Sequence, residues 1–345
     1  MDKIILEKKN HSIMHVGCDF GIANELSDFF SFFVPGYKYM PAFRNKVWDG
    51  KIRLFNVQSN EIHVGLYPFI KDFAAKRNYE IEISDENNYG SPDDKDDIDP
   101  KAIMDFISSL EIQSRGKPIQ VRDYQFNGIC HGLHNKRSIL VSPTGSGKSL
   151  IIYVLIKYYL SMLSSGIQKV LIVVPTTSLV DQMYNDFADY GMLVENGCHK
   201  IYSGKEKMTN AAVVISTWQS IYKLPGKWFE QFGCVIGDEC HGFKSKSLNS
   251  IMNKAREAEY RWGTTGTLDG TQTHELVLQG LFGKIYNVTT TKKLQDNDTL
   301  AKLNISVIKL KYPEELRKNR GVQTYQEEID LIVRNESRNK FIKNL

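Results

Sequence analysis

The sequence predicts an α/β protein in which a small α+β domain precedes a parallel β-sheet with helices covering both of its faces. Two observations carry this prediction. After residue 100, short and almost wholly apolar segments alternate with segments of helical periodicity, as expected for strands that are buried on both faces of a sheet. Before residue 86, several segments alternate apolar and polar residues instead, which is typical of strands with one face in water.

The small N-terminal domain is assigned to residues 1–85. Strict alternation predicts its strands, and apolar residues spaced by three and four predict its helices. The predicted strands are Ser12–Val16, Lys51–Val57 and Tyr79–Ile83, and the predicted helices are Phe20–Phe33 and Leu66–Arg77. The next segment, residues 86–100, holds six acidic residues and two prolines. Because it has little apolar surface to bury, it is interpreted as an acidic linker.

The larger domain is assigned to residues 101–311. Four short apolar runs predict strands at Ser138–Val141, Val170–Val174, Ala212–Ser216 and Cys234–Gly237. Helical spacing predicts helices at Lys148–Leu163 and Leu179–Tyr190. A last strand is expected at Asn304–Leu310. Residues 312–345 are interpreted as a connection, with a charged stretch at Glu314–Gly321 and a helix at Tyr325–Leu345.

Composition restricts the class of protein. The five cysteines form no C-x-x-C pair, which favours reduced thiols over a disulfide framework. The charged N-terminus does not resemble a signal peptide, and no apolar run approaches the roughly 18 residues that a membrane helix needs. We therefore expect a cytoplasmic protein with no membrane partner. The net charge of +4 combines zero in residues 1–85, −5 in residues 86–100 and +9 elsewhere, and such a basic body suits a polyanionic partner.

A glycine-rich loop between a predicted strand and a predicted helix indicates a nucleotide site. Residues 142–149 read Ser-Pro-Thr-Gly-Ser-Gly-Lys-Ser, which fits the P-loop pattern apart from a serine in place of its first glycine. The glycines let backbone N–H groups converge on phosphate oxygens, and the positive end of the following helix faces the same anion. In a P-loop the lysine contacts the β- and γ-phosphates and the last hydroxyl binds Mg²⁺. The candidate ATP-binding residues are Pro143, Thr144, Gly145, Ser146, Gly147, Lys148 and Ser149, and Ser149 is also a candidate Mg²⁺ ligand.

Two adjacent acids follow the apolar run at residues 234–237. In a P-loop protein, acids in this position hold the metal ion and activate the attacking water. We expect Asp238 to bind Mg²⁺ and Glu239 to polarise the water, so that Lys148, Asp238 and Glu239 form the catalytic set. Two acids after a strand often form only a solvated turn, and it is the P-loop that favours the catalytic interpretation.

A basic segment of the N-terminal domain is a candidate nucleic-acid contact. Arg44, Lys46, Lys51 and Arg53 surround Trp48 within ten residues. Cations can bind phosphates while an aromatic ring stacks on a base. Two alternatives stay open: that Trp48 is a core residue, and that the cations form an ordinary solvated face.

Several motifs resemble those of superfamily-two helicases and translocases, and they occur in the same order. The sequence Asp-Glu-Cys-His at residues 238–241 resembles the Asp-Glu-x-His box of that superfamily. The resemblance places His241 at the nucleotide site and assigns adenine recognition to Arg122 and Gln125. It assigns the coupling of hydrolysis to strand contacts to Thr265 and Thr267. It also implies a RecA-like fold for residues 101–311, with ATP and Mg²⁺ as cofactors.

Two further motifs resemble the superfamily segments that contact the nucleic-acid backbone. Both follow predicted strands of the larger domain. The residues that the resemblance assigns to nucleic-acid binding are Pro175, Thr176, Thr177, Gln182, Thr217, Trp218 and Gln219.

Residues 43–54, which read Phe-Arg-Asn-Lys-Val-Trp-Asp-Gly-Lys-Ile-Arg-Leu, resemble the N-terminal module of the tailed-phage UvsW-type DNA helicases. The similarity continues through the P-loop, the Asp-Glu-Cys-His box and residues 324–329. It implies ATP-dependent helicase or translocase activity on branched or forked DNA, or on RNA–DNA hybrids, in recombination, repair and replication restart. A phage protein of this type would act in the cytoplasm of the host cell.

The sequence departs from the superfamily in one respect. Helicases of this type place ATP between two RecA-like domains, and the second domain supplies arginine fingers. No Gln-x-x-Gly-Arg-x-x-Arg box occurs in the 345 residues, so we expect this domain to be missing or supplied elsewhere. Reduced or no unwinding by this chain alone is then expected. The alternatives are an RNA helicase, a restriction-type translocase, and a non-catalytic ATP- and DNA-binding module left by truncation.

Overall fold

The computed structural model describes residues 3–84, 89–163, 168–268, 270–301, 306–311 and 324–344. Contacts divide the chain into two compact units, Met1–Leu300 and Ala301–Leu345. The first unit combines a small α+β region with a seven-stranded parallel sheet that is covered by helices. The predicted fold class is therefore confirmed.

The N-terminal region is built on a four-stranded sheet. The strands of the region, including those outside this sheet, are β1 (Lys3–Lys8), β2 (Ile13–Gly17), β3 (Ser31–Phe33), β4 (Lys51–Arg53), β5 (Glu61–His63) and β6 (Glu80–Ser84). Its helices are α1 (Phe20–Phe29), α2 (Pro41–Arg44) and α3 (Tyr67–Arg77), with 3₁₀ turns at Tyr37–Tyr39 and Val64–Leu66. The sheet order is β5-β2-β1-β6, and β3 pairs with β4 in a separate hairpin. Alternate residues of β1 and β2 point into a core that α1 and α3 complete.

Two predicted boundaries in this region are wrong. The helix predicted to reach Phe33 ends at Phe29, because Phe30 enters the core and residues 31–33 pair antiparallel with β4. The strand predicted at Lys51–Val57 stops at Arg53. Beyond it, the Asn56 side chain accepts a hydrogen bond from the Gln58 amide (2.9 Å), which turns the chain toward β5. In both cases long-range pairing or a side-chain-stabilised turn outweighs the local periodicity.

The RecA-like lobe contains the large sheet. Its strands are β7 (Gln113–Ser114), β8 (Lys117–Pro118), β9 (Arg137–Val141), β10 (Lys169–Val174), β11 (Cys198–Ile201), β12 (Val213–Thr217), β13 (Phe232–Asp238), β14 (Tyr260–Thr265) and β15 (Ile285–Asn287). Its helices are α4 (Pro100–Ser109), α5 (Asp123–Asn135), α6 (Lys148–Met162), α7 (Thr177–Asp189), α8 (Val194–Gly197), α9 (Trp218–Ile221), α10 (Gly226–Phe229), α11 (Lys246–Lys254), α12 (Gln272–Phe282) and α13 (Thr291–Asp296), with a 3₁₀ turn at Cys240–Lys244.

All neighbouring strands of the large sheet run parallel, in the order β11-β12-β10-β13-β14-β9-β15. An apolar core lies on each face. Helices α4 to α7 contribute to one core, and α9 to α12 contribute to the other. Because β10 and β13 are buried on both faces, they are continuously apolar in sequence, which is why the pattern predicted them.

Strand β14 has no such pattern and was not predicted from the sequence. It contains Arg261, whose side chain is fully buried. The guanidinium donates hydrogen bonds to the backbone carbonyls of Ala258 (2.9 Å), Met252 (3.1 Å) and Ala255. A buried cation is tolerated only when its donors are satisfied, and these carbonyls come from a part of the fold that local sequence does not identify.

The second unit contains two helices, α14 (Tyr325–Val333) and α15 (Glu336–Lys343). A single helix from Tyr325 to Leu345 was predicted, and its continuity is wrong. The side chain of Asn335 accepts a hydrogen bond from the Arg338 amide (2.8 Å), so it caps a new helix instead of continuing the first. Of the strand predicted at Asn304–Leu310, residues 304–305 lie outside the described residues, and residues 306–310 form no strand. The charged stretch at Glu314–Gly321 also lies outside the described residues.

The acidic segment after residue 88 is held on the RecA-like lobe by several contacts, among them an ion-pair network around Lys136. Lys136 Nζ lies 3.0 Å from Asp94, 3.1 Å from Asp96 and 2.7 Å from Glu259. Three carboxylates around one largely buried ammonium form a network, which holds more firmly than an isolated surface pair. Across the helices of the described ranges, none has the length and apolar character needed to cross a lipid bilayer.

The N-terminal region docks on α12 through a close approach of two backbones. A Cβ atom added at Gly65 would lie 2.6 Å from the Gly280 carbonyl oxygen and closer still to that of Gln279. Nearby, His63 Nε2 forms a 2.8 Å hydrogen bond with Asn253 Oδ1, and Leu276 of α12 enters the N-terminal core. Only glycine leaves room for this contact, so the N-terminal region and the lobe share a tightly packed boundary.

Replacing Gly65 with Ala is therefore expected to lower the free energy of unfolding by about 1–3 kcal/mol, because backbone atoms of α12 cannot move aside for the added methyl group. The measurement is chemical or thermal unfolding of the whole chain. Gly226→Ala is the matched control, since a Cβ there meets nothing within 4 Å. Equal stability of the two variants would contradict the docking geometry.

Candidate functional site

The sheet order brings the sequence motifs to one edge. The P-loop follows β9, the acidic box follows β13, and Thr265 ends β14. These three strands are neighbours in the order β13-β14-β9. Because parallel strands end at the same edge of a sheet, the motifs meet there although about 90 residues separate the first from the second.

The P-loop has the backbone conformation of a phosphate cradle. Gly145 and Gly147 have φ angles of +80° and +83°, a left-handed conformation that favours glycine. Gly147 is also the residue immediately before α6, so the N-terminal N–H groups of that helix face the loop. A Cβ at Gly147 would collide with the amide nitrogen of Gln125. The left-handed conformation therefore favours glycine at this position, and a larger residue would also displace the Gln125 side chain.

Lys148, Ser149, Asp238 and Glu239 line a single cavity of about 430 Å³. The Lys148 ammonium lies 3.3 Å from the Ser142 carbonyl oxygen and 3.8 Å from Glu239 Oε1. It thus spans the space between the P-loop and the acidic box. The structure brings together the three residues predicted to be catalytic, Lys148, Asp238 and Glu239.

The two acids differ in their surroundings. Asp238 is buried, and its Oδ1 accepts a 2.7 Å hydrogen bond from Thr264, the residue paired with it across the strands. Burial raises the pKa of the Asp238 carboxyl, and the hydrogen bond from Thr264 opposes this rise. Glu239 is more exposed and has a φ angle of +50°, which is uncommon for a non-glycine residue. This turn directs its carboxylate toward Lys148 and Thr265.

The Thr265 hydroxyl joins three groups of the site. It lies 3.0 Å from His241 Nδ1, 3.4 Å from Glu239 Oε2 and 2.9 Å from the Thr267 carbonyl oxygen. One hydroxyl hydrogen serves one acceptor at a time, so Thr265 donates to one of Glu239, Thr267 and, in the tautomer with a bare Nδ1, His241. The residues predicted to couple hydrolysis to strand contacts, Thr265 and Thr267, therefore lie beside the predicted water-activating acid.

The predicted adenine-recognition residues contact the P-loop from the side. Gln125 is buried; its Nε2 donates to the Ser146 carbonyl (2.8 Å), and its Oε1 accepts from the Arg122 amide (2.9 Å). The Tyr124 hydroxyl reaches the same Ser146 carbonyl (3.1 Å) and accepts a hydrogen bond from Arg122 (3.0 Å). In this arrangement Gln125 supports the loop, and adenine recognition by Arg122 and Gln125 stays a prediction.

Another part of the cavity lining comes from α7, whose Gln182 is predicted to contact nucleic acid. Ser149 Oγ lies 3.0 Å from the Tyr190 hydroxyl, and Asp186, whose pKa is raised by burial, also interacts with Ser149. Gln182 lines the same cavity beside Asp186. Asp186 and Tyr190 were not predicted from the sequence, although they follow Gln182 at intervals of four residues, on and just after α7.

The motifs predicted to contact the nucleic-acid backbone end the neighbouring strands β10 and β12. Thr176 accepts from the Leu179 amide at 3.4 Å and caps α7. Thr217 is buried, with its hydroxyl 2.9 Å from Ser220, whereas Gln219 is exposed and reaches the Pro175 carbonyl at 3.4 Å. The two motifs therefore touch each other. They lie along the sheet edge beside the cavity that Lys148 lines, which we call the nucleotide cavity. Their binding of nucleic acid stays a prediction.

The basic N-terminal residues lie on and beside the loop between β3 and β4, residues 34–50, which we call the hairpin loop. Trp48 is half-buried and donates from Nε1 to the Lys51 carbonyl (2.9 Å), so its ring holds the loop in shape. Arg44 and Lys46 are exposed, and Arg53 is paired with Asp49. Val47, between them, is 82% exposed. This combination of cations with an exposed apolar side chain is compatible with nucleic-acid binding.

Family models match both regions of the chain. Residues 3–84 match the model of the N-terminal region of the DNA helicase UvsW, and residues 99–270 match that of the type III restriction enzyme, res subunit. Among curated proteins, the ATP-dependent DNA helicase uvsW of Enterobacteria phage T4 is 37% identical over 97% of this chain. The DNA 3'-5' translocase XPB2 of Sulfurisphaera tokodaii is 31% identical over 47% of the chain and 34% of its own length.

Solved structures show the same similarity of this chain to UvsW. A crystal structure of the UvsW helicase from bacteriophage T4 superimposes with a TM-score of 0.74 at 36% identity, covering 83% of this chain and 99% of that one. A second structure of T4 UvsW gives a TM-score of 0.74 at 34% identity, covering 99% of this chain and 66% of that one. The chain likewise spans 66% of the length of the curated T4 relative.

Proposed function

This chain belongs to the UvsW helicase family, and on that premise we propose that it is an ATP-dependent DNA helicase or translocase. The observation that supports this most directly is the shared cavity of Lys148, Ser149, Asp238 and Glu239. A phosphate cradle, a cation, a buried carboxylate and a second acid on one cavity are the groups that nucleoside triphosphate hydrolysis requires.

The oxygen donors on the cavity fit Mg²⁺. The Ser149 hydroxyl and the Asp238 carboxylate are the hard ligands that this ion prefers, and few protein ligands suffice because phosphate oxygens and water supply the others. When bound, Mg²⁺ would neutralise negative charge on the transferring phosphate. A neighbouring cation also favours the ionised form of Asp238, which burial alone disfavours.

The remaining residues have separate roles in ATP hydrolysis. Lys148 binds and orients the β- and γ-phosphates, while the N–H groups of the P-loop hold them in place. Glu239 orients the attacking water and accepts its proton. Thr265 contacts both Glu239 and Thr267. Its hydrogen-bond partner changes with the state of the site, and this change couples ATP hydrolysis to the contacts with the nucleic-acid strand.

The nucleic-acid partner is proposed to be DNA, branched or forked, with RNA–DNA hybrids as a further substrate. In this proposal residues 1–85 form a DNA-binding module, residues 86–100 an acidic linker and residues 101–311 the ATPase domain. Residues 312–345 are proposed to form a linker and a helix that lead toward a second RecA-like domain. Recombination, repair and replication restart are the processes in which such an activity would serve.

The proposal is tested by measuring phosphate release from Mg²⁺ and ATP by the purified chain, with forked DNA, with single-stranded RNA and with neither. We expect forked DNA to stimulate release most. Stronger stimulation by RNA would favour an RNA helicase. Binding of ATP and DNA without any hydrolysis would favour a non-catalytic module instead.

A further inference from the structure

A basic cleft lies between the N-terminal region and α11 of the RecA-like lobe. Strand β4 and His63 form one wall, α11 and Arg256 form the other, and α12 completes the cleft, which has a volume of about 560 Å³. It is separate from the nucleotide cavity, with which it shares none of its lining residues.

The charge in this cleft has one sign. Its lining includes Arg53, Lys246, Lys254 and Arg256, and no acidic side chain is among the described residues that line it. Lys254 is engaged, since its ammonium donates to the carbonyls of Tyr222 (2.6 Å) and Leu224 (2.9 Å). Burial lowers the pKa of His63, so its ring adds no charge. The positive potential therefore comes from the arginines and Lys246.

Two of these cations are exposed and take part in no ion pair among the described residues. Within the described ranges, Lys246 and Arg256 form no salt bridge, and both side chains reach solvent. No acidic side chain among the described lining residues balances these cations, so the cleft favours a bound anion. The third cation, Arg53, is exposed and forms a salt bridge with Asp49. Because exposed salt bridges are weak, a phosphate can replace Asp49 as its partner.

The position of the cleft indicates which anion fits it. Strand β4 continues directly from the hairpin loop, which carries Lys46 and Trp48. On the other side α11 packs against α9, whose first residue is Trp218 of a predicted strand-contact motif, and Lys254 ties the end of α9 to α11. The cleft thus lies between elements that adjoin two predicted nucleic-acid contacts, and a polymer of phosphates is an anion long enough to reach both.

We propose that this cleft binds the DNA backbone, with Lys246 and Arg256 contacting phosphates between the hairpin loop and α9. The inference deepens the proposed function, on which it rests, by adding a DNA contact on α11. It also assigns a mechanical role to the close docking at Gly65, because the cleft keeps its shape only while the N-terminal region stays packed on α12.

The test is the double variant Lys246→Ala/Arg256→Ala, measured by fluorescence anisotropy with labelled forked DNA over a series of salt concentrations. Loss of two phosphate contacts should weaken binding about tenfold near 0.1 M salt and reduce the slope of log K against log salt by about 1.8. Lys246→Glu alone should weaken binding as well, since it places a repulsive charge in the cleft. The melting temperature and the affinity for a fluorescent ATP analogue should not change.

The matched control is Lys101→Ala/Lys117→Ala. Both of these lysines are exposed, and their removal costs the same charge, but α4, which carries Lys101, packs on the opposite face of the sheet from α11. If the cleft variant binds DNA as well as the control, the inference is overturned while the proposed function stands. If the unaltered chain binds no DNA at all, the proposed function itself fails.

Discussion

Replacing Lys148 with Ala is expected to reduce ATP hydrolysis by roughly 10²–10³-fold, the usual cost of losing one preorganised group that stabilises transition-state charge. Lys148 is the cation on the described lining of the nucleotide cavity, and it lies between the P-loop carbonyl of Ser142 and Glu239. Its loss leaves the phosphates without their positive partner, so ATP affinity should fall together with the rate. Steady-state phosphate release with saturating DNA measures the effect.

Lys157→Ala is the control for this substitution. Lys157 lies on the same helix, α6, nine residues beyond Lys148 and away from the cavity lining. Removal of its charge should therefore leave hydrolysis near that of the unaltered chain. A Lys148→Ala chain that hydrolyses ATP as fast as Lys157→Ala would show that the cavity is not the hydrolytic site.

Replacing Glu239 with Gln is expected to lower the rate of hydrolysis by about 10²–10⁴-fold, the usual contribution of a general base. Glutamine has nearly the same shape, so it can still accept the hydrogen bond from Thr265, but it cannot accept a proton from water. ATP binding should survive, because Glu239 carries no predicted phosphate contact. Turnover and the affinity for a fluorescent ATP analogue, measured on the same preparation, separate the two effects.

The charge-matched control for the second substitution is Glu206→Gln, at an exposed position outside the nucleotide cavity. It should behave like the unaltered chain in both measurements. If Glu239→Gln lost ATP affinity and turnover in the same proportion, Glu239 would have a role in binding, and water activation would have to be assigned to another group.

Local chemistry explains why the sequence predicted so much of the site. A P-loop needs its glycines, lysine and hydroxyl within eight consecutive residues, and the acidic box needs two adjacent acids after a strand. Strands such as β10 and β13 are buried on both faces, so their apolar runs are visible without any neighbour. The fold class and the residues proposed for hydrolysis therefore follow from short segments.

Other features depend on partners that are distant in sequence. Helical spacing did not reveal that residues 31–33 pair with β4, and β14 was missed because its buried Arg261 is satisfied by carbonyls near α11. The positive φ angle of Glu239 and the support of Asp238 by Thr264 arise from the turn and the strand pairing around them. These contacts are set by tertiary packing, which local periodicity does not encode.

The sequence by itself determined which chemistry is proposed for this protein, because the groups proposed to bind phosphate and activate water are specified by residue type and local spacing. Only the tertiary structure decided which residues lie next to these groups and which surfaces adjoin them. The order of strands places Thr265 between the two nucleotide motifs. The docking of the N-terminal region on α12 creates the basic cleft with α11. Strand order and docking are fixed by the burial of apolar surface and by backbone contact between residues far apart in the chain.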